Sequence, residues 1–184
     1  MKANRIVLVS GPSGAGKSTV ARGLAEQSPL ARAVHLHADD FYAYIRKGAL
    51  APWLPESHAQ NTTVMKALAA SAASYAVDGY EVVVDGVIGP WFFEPWLVAA
   101  RTHRLDLRLI VLLPGEAETV ARATRRVHAD ALTDADVVRN IWRGFREVAL
   151  PEGHVLDTSN QDAAETVGAV RRGLTDGRFR LESP

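Results

Sequence analysis

An apolar run, Ile6–Val9, stops abruptly at Ser10-Gly11-Pro12, and the stretch Gly11-Pro12-Ser13-Gly14-Ala15-Gly16-Lys17-Ser18 follows at once. Every fixed position of the pattern G-x-x-x-x-G-K-[ST] is met. Beyond it the spacing turns helical from Lys17 to about Gln27, with Val20 and Leu24 on one face and Pro29 past the end. A strand with no polar alternation has to be covered on both faces, as in a parallel sheet, so strand, glycine loop and helix in this order leave few architectures open. The loop also carries chemistry. Glycines let the backbone curl so that successive N–H groups point inward, and the helix N-terminus adds positive partial charge, which together cradle an anion. Gly11, Pro12, Ser13, Gly14, Ala15, Gly16, Lys17, Ser18 and Thr19 are therefore the candidate phosphate-binding residues. Lys17 is suited to the β- and γ-phosphates of a nucleotide, and the Ser18 hydroxyl to Mg²⁺.

The rest of the chain alternates short apolar runs with helical patterns, which predicts an α/β fold. Strands are expected at Ala33–Ala38, Glu81–Val84, Leu105–Leu113 and His154–Asp157, and a helix at Thr63–Asp78 with Gly79 at its left-handed C-terminal cap. With 184 residues, 47% hydrophobic and 23% charged, the chain reads as a single domain over 1–184. Lys plus Arg and Asp plus Glu both number 21, so no global field favours nucleic acid or an anionic membrane over a small metabolite. Lysines occur only at 2, 17, 47 and 66; the other basic residues are arginines, the better fork for phosphate. Without cysteine there is no disulfide framework, thiolate metal site or thiol nucleophile. The N-terminal apolar run is too short for a signal or a span, and a cytoplasmic location is expected.

Further motifs sit after the strands: Asp39-Asp40-Phe41-Tyr42, then Trp53-Leu54-Pro55-Glu56 with Gln60-Asn61, then Val84-Asp85-Gly86, and a late arginine-rich segment. With the Gly11–Ser18 loop, they make the chain resemble the P-loop kinase group, especially the small AAA_33-type proteins and the chloramphenicol phosphotransferase-like enzymes. The resemblance covers most of the chain. It implies a P-loop NTP hydrolase/kinase fold, three-layer α/β/α with a five-stranded parallel sheet in the order 2-3-1-4-5. It implies ATP and Mg²⁺ as cofactors and phosphoryl transfer to a hydroxyl of a small molecule. By motif position Asp39 corresponds to the carboxylate that takes the hydroxyl proton in the related kinases. Asp85 resembles the Walker B aspartate, and 115–148 resembles a mobile lid. Asp157-Thr158-Ser159-Asn160 resembles the loop on the adenine side.

Physical chemistry supports part of this independently. Ligands of an open α/β sheet bind beyond the carboxyl ends of the strands, where Asp39 is expected. There a carboxylate can orient and deprotonate a hydroxyl or hold Mg²⁺ through water, and Asp40 can share the metal task; the alternative is that the pair only caps a helix. Asp85 either serves the metal with Ser18 or forms an Asp-Gly turn. Gly86 supplies no glutamate to activate water, and no Asn-Lys-x-Asp guanine motif is present.

Arg122, Arg125 and Arg126 fall at helical spacing, with Arg122 and Arg126 the preferred lid arginines. After a Thr133-x-x-Asp136 capping box, Val137, Ile141, Phe145 and Val148 form an apolar stripe, with Arg139, Arg143 and Arg146 on another face. Pairing with Glu116, Glu118, Asp130 and Asp134 is the alternative use of these arginines. Trp53, Gln60, Asn61 and the stretch Trp91–Trp96 are the candidate acceptor pocket, suited to a neutral hydroxylated molecule, or else packing residues. His35, His37 and Asp39 alternate along a strand like metal ligands, although histidines there more often have structural roles. A nucleotide-dependent switch or slow ATPase acting through a protein partner is the alternative to a kinase. A nucleotide-binding module with a structural role is the third possibility, and the sequence leaves the oligomeric state open.

Overall fold

β1 (Arg5–Ser10) is buried from Ile6 onward, and its alternate residues enter two different cores. Ile6 and Leu8 pack on the side that holds Val64, Leu68 and Trp96, while Val7 and Val9 pack with Val20, Leu24, Val167 and Val170. Both faces of the strand are thus apolar for the same reason, which explains the unbroken run. The computed structural model describes residues 4–125 and 132–182. Around β1 lie α1 (Lys17–Glu26), β2 (Ala33–His37), α2 (Ala38–Ala43), α3 (His58–Val77), β3 (Glu81–Gly86), α4 (Phe93–His103), β4 (Asp106–Leu112), α5 (Glu116–Thr124), α6 (Ala135–Glu147), β5 (Val155–Leu156) and α7 (Ala163–Thr175).

The five strands run in the order β2-β3-β1-β4-β5 and every pairing between them is parallel. This is the architecture that the resemblance implied. The register aligns the strand ends: Asp85 of β3 stands opposite Val9 of β1 and His37 of β2, and Ser10 stands opposite Gly86. Ser10 then ties the two exits together, since its Oγ donates to the Ile88 carbonyl at 2.7 Å and accepts from the Ile88 N–H at 3.0 Å.

Several boundaries differ from the sequence reading. The chain leaves β2 one residue before the expected end, because Ala38 already begins α2. α3 begins at His58 rather than Thr63, since a 3₁₀ turn at Pro55–Ser57 feeds straight into it and its first turn is mostly polar, without periodic signal. The N-cap of α6 is Asp134, not Thr133: its Oδ1 accepts from the N–H groups of Asp136 at 2.9 Å and Val137 at 3.1 Å. Its buried face holds Val138 and Phe145 rather than Val137 and Val148. Trp142, absent from the expected stripe, anchors that face by donating from Nε1 to the Pro114 carbonyl at 2.8 Å. α7 is capped by Asp162 in a capping box with Glu165.

Candidate active site

The phosphate loop is held in shape by what lies behind it. Gly11 and Gly14 have φ of +138° and +87°, and a Cβ on them would come within 2.2 Å of the Leu112 carbonyl oxygen and 2.3 Å of the Thr119 carbonyl oxygen. Glycine is thus required twice, once by backbone conformation and once by the close approach of β4 and α5. Gly16 is the left-handed N-cap of α1, which points the free N–H groups of the helix at the loop. Lys17 is 9% exposed, and its ammonium donates to the Pro12 carbonyl at 2.9 Å, so the side chain curls back over the loop.

Behind the loop, Asp85 is fully buried and gathers three donors. Ser18 Oγ donates to Oδ2 at 2.7 Å, His35 Nε2 donates to Oδ1 at 2.5 Å, and His37 Nδ1 contacts both oxygens at 3.0 Å. The other nitrogen of His37, Nε2, makes an ion pair with Asp39 Oδ2 at 3.4 Å. With a carboxylate at each end, both nitrogens of the His37 ring carry protons. Its contact with Asp39 and its hydrogen bonds to Asp85 push the pKa up from 6.5 to about 10, against the opposite pull of burial. For Asp85, burial works against ionisation, but the hydrogen bonds from His35, His37 and Ser18 outweigh it and hold the carboxyl well below its usual range. The His37 contact likewise lowers Asp39, helped by the charge of Lys17. Burial, with the Asp39 charge, pushes the Tyr42 hydroxyl up to about 12, so it stays protonated.

Asp39 and Asp40 occupy the first turn of α2, and both are exposed. The N-cap of that helix is His37, with no side-chain capping bond, so neither aspartate is a capping residue. His35 and His37 are turned onto Asp85. Among the described residues no group of three or more His, Cys, Asp or Glu side chains is arranged to hold a metal, so His35, His37 and Asp39 are not a ligand set. Ser18 and Asp85 do fit Mg²⁺, a hard cation that takes few protein ligands: they offer a hydroxyl and an ionised carboxylate oxygen 2.7 Å apart at the exit of the loop.

A hollow of about 220 Å³ opens on the other side of α1, between Ala15, Gly16, Thr19, Arg122, Gln161 and Asp162. It brings Arg122 beside the loop. In this conformation Arg122 Nε also donates to Glu118 at 2.7 Å. Arg125 closes the end of α5, and Arg126 lies outside the described residues. Arg139 pairs with Asp136 and Glu116, and Arg143 with Glu116, so these two arginines of α6 are engaged with acids, while Arg146 lies over the Trp142 ring at 5.9 Å. In the 157–160 loop, Ser159 donates to Asp157 and accepts from the Gly115 N–H at 2.8 Å, tying this loop to the root of α5. A second hollow, of about 240 Å³ between Leu97, Leu105, Leu107 and Leu181, lies at the opposite end of the sheet and touches none of these groups.

The acceptor candidates divide. Trp53 is 48% and Trp91 41% exposed, the latter in ring contact with Phe145 at 5.6 Å. Gln60 both donates to and accepts from the Leu50 backbone at 2.8 Å, and the buried Asn61 donates to the Pro52 carbonyl at 2.7 Å; both amides hold the 50–57 segment in place. Trp96 and Phe92 from the aromatic stretch belong to the core, because helical spacing turns them inward. Sequence reading missed the convergence of His35 and His37 on Asp85. Strand register supplies it, and only the alternation of the two histidines hinted at it.

Comparison with known proteins agrees with this fold. The family model AAA_33, described as an AAA domain, matches residues 6–151. No curated protein sequence matches the chain. Similar solved structures include a sugar kinase from Janibacter sp. HTCC2649, at 18% identity and a TM-score of 0.67, covering 93% of this chain and 94% of that one. A putative kinase from Chloroflexus aurantiacus is 21% identical with a TM-score of 0.67, covering 96% of this chain and 99% of that one. The Mycobacterium tuberculosis APS kinase in complex with AMPPNP and APS is 18% identical with a TM-score of 0.67, covering 95% of this chain and 99% of that one. The chain is a member of the AAA_33 family of AAA-domain proteins, built on the fold of the P-loop small-molecule kinases.

Proposed function

We propose that the protein is an ATP-dependent kinase that transfers the γ-phosphoryl group of Mg·ATP to a hydroxyl of a small molecule. The observation that carries this reading is the pairing of two carboxylates of unequal exposure at the strand ends: Asp85, fully buried against Ser18, and Asp39, with a side chain 77% exposed, beyond it. A buried anion beside the phosphate loop suits the metal of a nucleotide; an exposed one suits the hydroxyl of an incoming acceptor. Mg²⁺, when bound, neutralises phosphate charge, and Ser18 and Asp85 are the residues that would hold it, with Asp40 a further candidate through water.

Lys17 and the loop N–H groups bind and orient the phosphates. Asp39 takes the proton from the acceptor oxygen as that oxygen bonds to phosphorus and the bond to ADP breaks. Arg122 neutralises charge on the transferring group, and Arg126 is the second candidate for that role. Trp53 and Trp91 offer ring surface to the acceptor, with Gln60 and Asn61 shaping the segment beneath Trp53. The packing of Gly86 favours transfer over hydrolysis: a Cβ there would lie 2.7 Å from that of Ala38, which leaves no room for a water-activating side chain beside Asp85. Similarity to a sugar kinase and to an APS kinase supports a small hydroxylated acceptor.

The test is ADP release from Mg·ATP across a panel of hydroxylated metabolites and antibiotics, with Lys17→Ala as the blank. Stimulation by one acceptor, with a phosphate ester in the mass spectrum, is the expected result. Tight ATP binding without stimulation by any acceptor sinks the kinase reading and supports a nucleotide-dependent switch or slow ATPase that acts through a protein partner.

A further inference from the structure

The His37 ring spans the gap between the two carboxylates that the proposed reaction uses differently. On one side Nδ1 lies 3.0 Å from both oxygens of Asp85; on the other Nε2 lies 3.4 Å from Asp39 Oδ2. The register of β2 and β3 brings this about, since His37 and Asp85 are direct partners across parallel strands and Asp39 lies in the first turn of α2, two residues on. The ring therefore links a carboxylate with no exposure to one that faces solvent. His35, two residues back on the same face of β2, fixes Asp85 Oδ1 from the other side at 2.5 Å. Asp85 is thus held by His35 without help from Asp39, whereas among the described residues the hydrogen bonds and ion pair that join Asp39 to Asp85 run through His37.

We propose that His37 is a positioning residue that couples Asp39 to Asp85, so that the group serving the nucleotide's metal and the group serving the acceptor hydroxyl are set by one ring. This rests on the kinase reading for the role of Asp39, but the coupling itself is measurable without any acceptor. Metal sites depend on the partners that orient their ligands, and loss of such a partner commonly weakens metal affinity about 10- to 100-fold. The two ends of His37 can be removed separately: an asparagine amide falls near the position of Nδ1 and a glutamine amide near that of Nε2, each a neutral donor.

The experiment is calorimetric titration of ATP into the full chain at graded Mg²⁺, which reads the Mg²⁺ concentration for half-maximal binding. His37→Gln, which keeps the Asp39 end, is expected to raise that requirement about tenfold. His37→Asn, which keeps the Asp85 end and cuts the link to Asp39, is expected to raise it only about threefold, as Asp39→Asn does. Asp39→Asn is expected to shift the requirement about threefold in the parent and not at all in His37→Asn, where the link is already cut. Equal shifts for the Gln and Asn variants, or an Asp39→Asn effect that survives undiminished in His37→Asn, would overturn the coupling. If His37→Gln does not fold, the double-mutant comparison decides alone. The acceptor panel bears only on the kinase reading: should it give no phosphate ester, the coupling still stands or falls on the Mg²⁺ titration.

Discussion

Around the Gly11–Ser18 loop, Ala15, Lys17, Val20 and Asp85 are all buried, and two glycines meet backbone oxygens closer than any side chain tolerates. On the far side of Asp39, by contrast, Tyr44, Leu50, Trp53 and Trp91 stand between 40% and 67% exposed. The first region has one solution, because a contiguous stretch of chain must satisfy phosphate chemistry and packing together. In the second, aromatic surface is displayed with few packing demands on it. On the proposed reading, chemistry is built into the first region and acceptor selectivity is left to the second.

Substitutions on the two sides should therefore fail in different ways. Asp39→Asn stands at the boundary and should give the largest effect: acceptor phosphorylation slower by about a thousandfold, with ATP affinity at saturating Mg²⁺ nearly unchanged in calorimetry. Unchanged turnover would remove Asp39 from its role as base. Lys17→Ala should cost about a hundredfold or more with every acceptor alike, since its partner is the nucleotide; full activity would refute the phosphate-loop assignment. Gly11→Ala should destabilise the fold by about 2 kcal/mol, seen as a melting temperature lower by about 6 °C. A smaller stability effect would mean that β4 yields to the new side chain. On the acceptor side, Trp53→Ala should raise the acceptor KM about tenfold and leave stability within about 0.5 kcal/mol. An equal rise in the KM for ATP would erase the contrast between the regions.

The smallest effect concerns pH. His37 has its pKa raised from 6.5 to about 10 in the folded protein, so folding takes up a proton between those values. Its contribution is complete below 6.5 and fades as pH rises towards 10. Asp39 and Asp85, both lowered, act in the opposite sense and lose their contributions only in acid. The difference in melting temperature between the parent and His37→Asn, measured without nucleotide, should shrink steadily across the alkaline window. A difference that grows there would show that His37 is not held as a cation.

The same contrast explains what could be read from the chain alone. The phosphate loop, the strand order and Asp39 at the end of β2 follow from short patterns whose meaning is local or carried by the resemblance. The amphipathic spacing of α6 is legible too: Ile141 and Phe145 pack against the core as expected, but Val138 and Trp142 join them in place of Val137 and Val148, and the Trp142 contact with the Pro114 carbonyl depends on a partner 28 residues away. Convergence of His35 and His37 on Asp85 required the register between strands 48 residues or more apart, which no local pattern encodes. The placement of Gln60 and Asn61 under a loop, and of Trp96 in the core, reflects the same limit: composition suggests a pocket, and only packing decides which side chains face it.

The contact between Gly86 and Ala38 has a consequence for how such a protein can diverge. Gly86 follows the metal-side aspartate, Ala38 precedes the candidate base, and their close approach joins the end of β3 to the start of α2. A glutamate cannot enter at 86 unless Ala38 retreats, and any retreat of Ala38 moves Asp39 with it. Acquiring a water-activating residue at this position therefore displaces the proposed base in the same step. On the proposed kinase reading, a single substitution at Gly86 cannot add hydrolysis while leaving the transfer geometry in place.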